Sequence, residues 1–541
     1  MHSRTVTSTI TGLLLISLML VFAWHAITPK TSLIIGGEII VVGAGGSLQA
    51  ALDQAVPGNI IELEPGAVFQ GPFVLRQKPS RSEVSPAKDK PLWITIRSGV
   101  NQKPNAARLP PAGIRVSPAD APAMARLEST GNPVLSANSG AHHYRFVGIE
   151  FSSPERETSR IGKNQLTELI RLESQDDNFE SIPHHFIFER CYLHGDPQGG
   201  TRRGIIMNSA YTEVVDSYFS DFKVIGEDSQ AIVSWSGPGP FTIRNNYLEA
   251  AGENVMFGGW DPTIDNLVPS DIEIRGNYFS RPEGWQPGNP DYKGTDWSVK
   301  NLLELKNARR VVIDGNLFEH NWPESQNGFA ILFTVRNQQG TAPWSVVEDV
   351  TFSNNIIRQA ANGINILGRD DNYSSQKTRR ITIYNNFFEN LGGHWGGGDL
   401  FQLLDGTEDV TITRNTALQS GRILIAEGDY HRRFVFTDNI VMQNKYGIVG
   451  TDTAPGMATL ERYFPDAEFR GNQIVGGLPT EYPAGNQFPA SLAKTTVRPT
   501  AAEGQNAVRL QPVGVDFSEL CAALSEAERA EYCQQVSSAE H

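Results

Sequence analysis

The chain has 541 residues, with 46 Lys and Arg against 60 Asp and Glu, for a formal net charge of −14. That balance argues against nucleic acid as a partner, and mildly against a polyanion unless basic residues gather locally. The length exceeds one ordinary globular core, while 51 Gly and 32 Pro suit a chain with many turns.

His2 and Arg4 precede an apolar run from Ile10 to Ile27. This is the layout of a secretory signal. Ala26 is the best last residue for a cleaved segment, although Trp24 is bulky two places before it. An uncleaved anchor is the rival, since a run of this length nearly spans a bilayer. Residues 1–27 are therefore read as signal peptide or signal anchor and 28–40 as linker. Either way the body is expected outside the cytoplasm: periplasmic, extracellular or held on the outer side of the inner membrane. A membrane contact is expected only through this segment, and only if it is uncleaved.

Gly46 to Val56 reads as a short amphipathic helix with Ser47 as N-cap. Pro57-Gly58 ends it, and Ile60 to Leu63 starts the first strand. A helix there covers the open apolar end of a coil stack. A polar loop follows at 79–90, then the strand Trp93 to Ile96. The pairs His142-His143 and His184-His185 stand just before strands and are read as turn residues, since they lack metal-site spacing with Cys or acid partners.

From there a phrase recurs: apolar, x, apolar, two residues, then Asn. It places Asn246, Asn277, Asn316, Asn355, Asn386, Asn415 and Asn439 in the same slot, with weaker copies at Ile149, Cys191, Ser217 and Asn472. Alternating Val, Ile, Phe and Thr before the Asn is a half-buried strand. The Asn ends it with a residue that tolerates left-handed backbone and bonds its own chain. A second strand follows in most units, as in Asn254–Phe257, Asn301–Leu305, Phe329–Phe333, Ile364–Leu367, Leu400–Leu404 and Ile423–Ile425. Repeats of this size stack on one another. The expectation is an all-β solenoid of about a dozen coils, a right-handed parallel β-helix over residues 41–478.

A charge pattern supports in-register stacking. Six and seven residues before each Asn stand Ser270-Asp271, Arg309-Arg310, Glu348-Asp349, Arg379-Arg380, Glu408-Asp409 and Arg432-Arg433. Acidic and basic pairs alternate, so coils roughly 4.8 Å apart put each basic pair between acidic neighbours. Polar insertions at 152–182, 281–299 and 368–378 must project from the stack. Residues 479–541 leave the repeat and end in a helix-like tail from Phe517 to Cys533, read as the second cap. Cys521 and Cys533 could pair only if that tail folds as a hairpin, because twelve residues of straight helix hold them too far apart. Cys191 is read as a buried small apolar residue.

The segment Ser47 to Leu63, together with the Asn-terminated units, resembles pectate-lyase-like right-handed β-helix proteins, and most closely an exported bacterial group within that superfamily. The resemblance implies fold and leaves chemistry open, since the superfamily holds lyases, hydrolases, epimerases, esterases, tailspikes and adhesins. The hydrolase series of polygalacturonases is incomplete here. Asp370-Asp371 and Asp176-Asp177 are present, but no Gly-His-Gly or Arg-Ile-Lys accompanies them, and Leu193-His194-Gly195-Asp196 does not match. No Arg-x-Pro-x-x-Arg of calcium-dependent pectate lyases is present either.

A lyase needs a base at a uronate C5 proton and a cation to neutralise the carboxylate. Residues that alternate with apolar ones on the second strand of each unit face outward. They form a stripe of Glu253, Glu304, Lys306, Arg336, Asn365, Arg369 and Asp405, with Thr334, Gln402 and Glu427 alongside. Lys306 and Arg336 are read as base or carboxylate neutraliser, and Glu304 and Glu253 as acid or metal ligand. Asn254, Asn365, Arg369 and Asp405 are read as substrate-binding. Trp235, Trp260, Trp344 and Trp395 are candidate sugar platforms, the first two foremost. The competing reading of every such residue is an ordinary solvated face or loop packing. The sequence names no certain cofactor and leaves the metal requirement open. Calcium is the metal left open, through Asp228 and Glu253, although no compact oxygen-ligand motif is present. The expected function is action on an acidic polysaccharide, as a lyase or uronate epimerase rather than a polygalacturonase-type hydrolase. The alternative is a non-catalytic glycan-binding or structural surface protein. A monomer is expected.

Overall fold

The structure is a computed structural model, which describes residues 37–79, 92–100, 106–131, 133–154, 167–492 and 513–533. The N-terminal signal or anchor lies outside these residues, as does most of the polar loop at 79–90. Among the described residues no helix is long and apolar enough to cross a membrane.

Strand after strand pairs in parallel with its counterpart one coil later, giving three sheets of 14, 13 and 12 strands. Each coil visits the sheets in turn, as in Phe241–Arg244, Tyr247–Ala250 and Glu253–Phe257. The chain is thus a right-handed parallel β-helix. The sequence reading found two strands per coil. The one it missed follows the Asn at once, as Tyr247–Ala250, Leu317–Asn321 and Phe387–Leu391 do. No turn signal separates it from the preceding strand except the Asn corner itself.

The interior is a continuous apolar column of stacked Ile, Val, Leu and Phe. Phe146 lies over Phe188 at 5.2 Å, and Phe436 over Phe469 at 5.1 Å. One polar ladder runs inside the corner between the first two sheets. The backbone N–H of Asn277 donates to Oδ1 of Asn316 at 2.9 Å, and the N–H of Asn316 to Oδ1 of Asn355 at 2.9 Å. Each Nδ2 also donates to the next Oδ1 and back to a carbonyl, Ile274 in the case of Asn316. The ladder runs unbroken from Asn246 through Asn472 to Asn486. At its start Ser217 takes the same part with a hydroxyl, accepting from the N–H of Cys191 at 3.0 Å. A buried backbone donor at every corner is thereby paired.

The alternating charges fall into register. Arg309 pairs with Glu348, Glu348 with Arg379, and Arg379 with Glu408 along the first sheet. Arg310 reaches Asp271 at 2.7 and 2.8 Å, Arg379 reaches Glu348 at 2.8 Å, and Arg433 reaches Asp409 at 2.6 Å. The second member of each pair has φ of 51–59°. This left-handed residue breaks strand alternation, so both side chains face outward. These exposed pairs each contribute under ~1 kcal/mol and chiefly disfavour slipped registers.

Helix α1 (Leu48–Gln54) closes one end of the column, with Ser47 Oγ accepting from the N–H of Ala50 and Leu48, Ala51 and Leu52 buried. At the other end α2 (Met457–Tyr463) and the segment carrying Tyr482 and Phe488 join the core. The tail is therefore not the second cap. Its helices α3 (Phe517–Ala523) and α4 (Glu526–Tyr532) lie along the flank, with Leu520 and Leu524 packed on Leu317, Ile356 and Phe387. Leu524 and Ser525 break the helix, and the hairpin so formed brings Cys521 and Cys533 to a Cα separation of 6.1 Å, bridged by a disulfide. Cys191 is fully buried, and burial pushes its thiol up to about 12.

Candidate active site

The outer face of the third sheet carries the groove. In Leu303–Leu305 the flanking leucines join the core, so Glu304 and then Lys306 face out. The next strand, Phe329–Thr334, buries Ile331 and Phe333 and turns Leu332 and Thr334 outward. Register then aligns Glu304, Leu332, Asn365 and Gln402 in one outward row. Loops on both sides raise walls and leave a groove of about 490 Å3. Its lining includes Glu304, Lys306, Thr334, Arg336, Asn365 and Asp370, with Tyr373, Asn327 and Gln402 around them. That volume suits a small ligand or part of a longer chain.

Lys306 is the central cation. Its side chain is 13% exposed, and its Nζ lies 3.6 Å from Glu304 Oε2. Among the described residues that ion pair is its one side-chain contact of this kind. Burial disfavours the charge, but Glu304, Glu253 and Asp228 outweigh burial and hold the ammonium above its ordinary pKa. Gly258 makes room for it. With φ of 95°, a Cβ there would stand 2.8 Å from Lys306 Cβ and 2.7 Å from the backbone nitrogen of Asn307. Glu304 is steadied by Thr334, whose hydroxyl donates to Oε1 at 3.1 Å, while Oε2 is buried without a hydrogen bond.

Arg336 comes from the next coil, where its N–H donates to the carbonyl of Lys306. The guanidinium pairs with Asp370 at 3.0 Å and with Asp371. Burial disfavours its charge, and the hydrogen bonds it donates to Asp371 and Asp370 overcome that, so its pKa is raised. Asp370 also accepts from the N–H of Asn337 at 2.7 Å. The Asp370-Asp371 pair, legible in the sequence as a fragment of a hydrolase series, is here the partner of Arg336. Asn365 donates to Gln402 at 2.6 Å, and Gln402 to Glu427 at 3.4 Å, extending a polar row toward the C-terminal coils.

Other expected members stand elsewhere. Glu253 does not reach the surface of the groove. It is fully buried at the start of its strand, where Gln230 donates to it at 2.6 Å and Lys300 lies 3.9 Å away. Burial, with Asp228 and Glu304 nearby, pushes its carboxyl up to about 7. Asn254 is also buried and donates to the Ser280 and Leu248 carbonyls, which makes it part of the coil corner and not a substrate ligand. Both stand at the start of the strand Glu253–Phe257, where the chain turns into the third sheet and neither side chain reaches the groove. Arg369 is exposed just past its strand, and the groove takes its neighbour Asp370 instead. Asp405 sits beyond the lining in a left-handed turn, where burial and Asp371, Asp429 and Glu427 raise its pKa.

Among the tryptophans, Trp235 packs on Ile206, Val233 and Met256, coils before Lys306. Trp260 is 59% exposed, on a loop tied to the groove wall through Asp261, which accepts from the N–H groups of Gln339 and Thr341. Trp344 donates to the carbonyl of Leu267, and Trp395 is buried with Trp285, Trp297 and Trp322, so both are packing residues. The sequence reading missed Arg281. Fully buried, it donates to the carbonyls of Ala250, Ala251, Gly252 and Asn301 and to Asn321, tying three coils behind the groove. Burial pulls its pKa down to about 9.

No protein-family model matches the chain, and no curated protein matches it. Among solved structures it is similar to an alginate lyase from Paenibacillus sp. str. FPU-7, at 15% identity over 77% of this chain and 97% of that one, with a TM-score of 0.32. It is also similar to the catalytic unit of a thermostable GH87 alpha-1,3-glucanase from Streptomyces thermodiastaticus strain HF3-3, at 11% identity, 84% and 71% coverage and a TM-score of 0.48. A mannuronic acid specific polysaccharide family 6 lyase from human gut microbiota gives 11% identity, 84% and 82% coverage and 0.41. These are likenesses of architecture, and the fold itself rests on the strand order described above.

Proposed function

We propose that the groove on the third sheet binds an acidic, uronate-containing polysaccharide outside the cytoplasm and cleaves it by elimination. The observation that carries this reading is Lys306. An ammonium kept charged by three carboxylates, facing a groove and lacking a hydrogen-bond acceptor among the described residues, suits an incoming carboxylate. Neutralising the uronate carboxylate acidifies its C5 proton.

Because Lys306 and Arg336 are both held protonated, neither is the base at neutral pH. In this reading Glu304 Oε2 accepts the C5 proton once the ammonium turns to the substrate. The C5–H electrons form the C4–C5 double bond, the C4–O bond breaks, and the departing oxygen takes a proton from water. Arg336, Asn365 and Gln402 bind along the chain, and Trp260 offers an exposed ring at the wall. Calcium does not enter. Asp228, Glu253 and Glu304 are interleaved with Lys300 and Lys306, a donor set that does not suit a divalent cation.

A second reading, glycan binding without cleavage, is favoured by the shielding of Glu304 Oε2 and by the neutralisation of Arg336 by two aspartates. Exposure of the protein to polygalacturonate, alginate, chondroitin and neutral glucans separates the two. Ultraviolet absorbance of unsaturated uronate from one polyuronate, lost in Lys306→Ala and in Glu304→Gln while Glu304→Gln still binds, is the result expected. Saturable binding with no product supports the second reading. Activity unchanged in Lys306→Ala refutes the assignment.

A further inference from the structure

The histidine pairs that the sequence reading set aside as turn residues come together on the first sheet. Strands His142–Val147 and His184–Glu189 are adjacent and parallel, with His184 opposite His142. His143 and His185 have φ of 60° and 59°. A left-handed residue there breaks strand alternation, so both rings of each pair face the same way. Within a pair the Nδ1 atoms meet, at 2.9 Å for His142 and His143 and 2.6 Å for His184 and His185. Between coils the rings stack, His142 on His184 at 5.0 Å and His143 on His185 at 4.4 Å. Trp93 lies against His143 on one side, and Tyr211 stacks on His185 on the other.

Two lone pairs cannot face each other at these distances, so within each pair one Nδ1 carries a proton and donates to the other, which leaves the Nε2 atoms for other partners. Ring nitrogens of His143, His184 and His185 all lie within 4.8 Å of one another. Among the described residues the charges bearing on these three rings are those of the histidines themselves, with no carboxylate among them. Imidazole nitrogen is the commonest protein ligand for transition metals. His142 hydrogen-bonds the backbone of Lys78 and packs its ring against His143 and His184, the kind of outer contact that orients ligating rings.

We propose that His143, His184 and His185, backed by His142, bind one divalent transition-metal ion of the nitrogen-preferring class, such as Zn2+, and thereby clamp two adjacent coils. An all-imidazole donor set with no oxygen ligand favours zinc, copper or nickel over calcium or magnesium. The site is remote in sequence from the groove residues 304–402 and does not depend on the function proposed for them.

The test is equilibrium dialysis of the protein against micromolar Zn2+, with metal content and thermal midpoint read together, and Co2+ absorption as a report on nitrogen ligation. One metal per chain and a raised midpoint are expected. Both should be lost in the double variant His143→Asn and His184→Gln, in which Asn keeps the left-handed backbone tolerable. The single variant His184→Gln serves if the double variant does not fold. Absence of stoichiometric binding by the unaltered protein overturns the proposal without any variant. Binding that persists unchanged in a folded variant overturns it too, since it places the metal elsewhere.

Discussion

Replacing Asn316 with Ala removes one rung from the internal asparagine ladder. The backbone N–H of Asn277 loses its acceptor, Asn277 Nδ2 loses one of its two, and the carbonyl of Ile274 loses a donor. All of this lies where Asn277 and Asn316 have no exposed surface. A stranded buried N–H costs ~1–3 kcal/mol and each further lost bond about 1 kcal/mol, so the variant should lose roughly 3–5 kcal/mol. Asn316→Ser should lose far less, because a hydroxyl can accept from the preceding coil as Ser217 does from Cys191. Urea titration is one assay, followed by the fluorescence of Trp322, which is buried just after the strand that Asn316 precedes. Solenoids need not unfold in a single step, so exchange of the Asn277 amide supplies the local reading. An alanine variant within about 1 kcal/mol of the parent refutes the argument, and so does a serine variant as damaged as alanine.

Two further outcomes are expected. The Glu253 carboxyl is raised to about 7 in the folded chain from 4.5, so its contribution is complete below pH 4.5 and is lost as pH rises through 7. A shift of that size is on the order of 3 kcal/mol. Glu253→Gln keeps an acceptor for Gln230 and should flatten the fall in thermal midpoint between pH 5 and 8; parallel curves for parent and variant would count against it. The Cys521–Cys533 bridge closes a short loop worth ~3 kcal/mol to the α3–α4 hairpin. Cys521→Ser with Cys533→Ser should therefore expose residues 513–533 to protease while the far-ultraviolet spectrum of the β-helix stays unchanged. Equal protease resistance in the parent and the variant would refute it.

Much of the coil was legible because period-2 alternation and the Asn corner are local signals. Lys306, Arg336, Glu304, Thr334 and Asn365 could be placed on one face from the apolar residues beside them. Glu253 and Asn254 could not, because they stand where the chain turns into its strand, and what covers them, Gln230 and Lys300 for one and the carbonyls of Leu248 and Ser280 for the other, is not signalled by the apolar residues beside them. Arg281 lies in a polar insertion and gives no sign of burial; only the carbonyls of a distant corner explain it. The histidine cluster was invisible for a related reason. Its members are 42 residues apart in the paired strands, and register alone brings them together.

The alternation of acidic and basic pairs has a bearing on how such a chain can change over time. Deleting the coil that carries Arg379-Arg380 would set Glu348-Asp349 against Glu408-Asp409, and duplicating it would set four arginines face to face. Removing or copying two consecutive coils restores opposite neighbours at the join. Between Ser270 and Arg433 the charge pattern is thus preserved by a change of two coils and broken by a change of one.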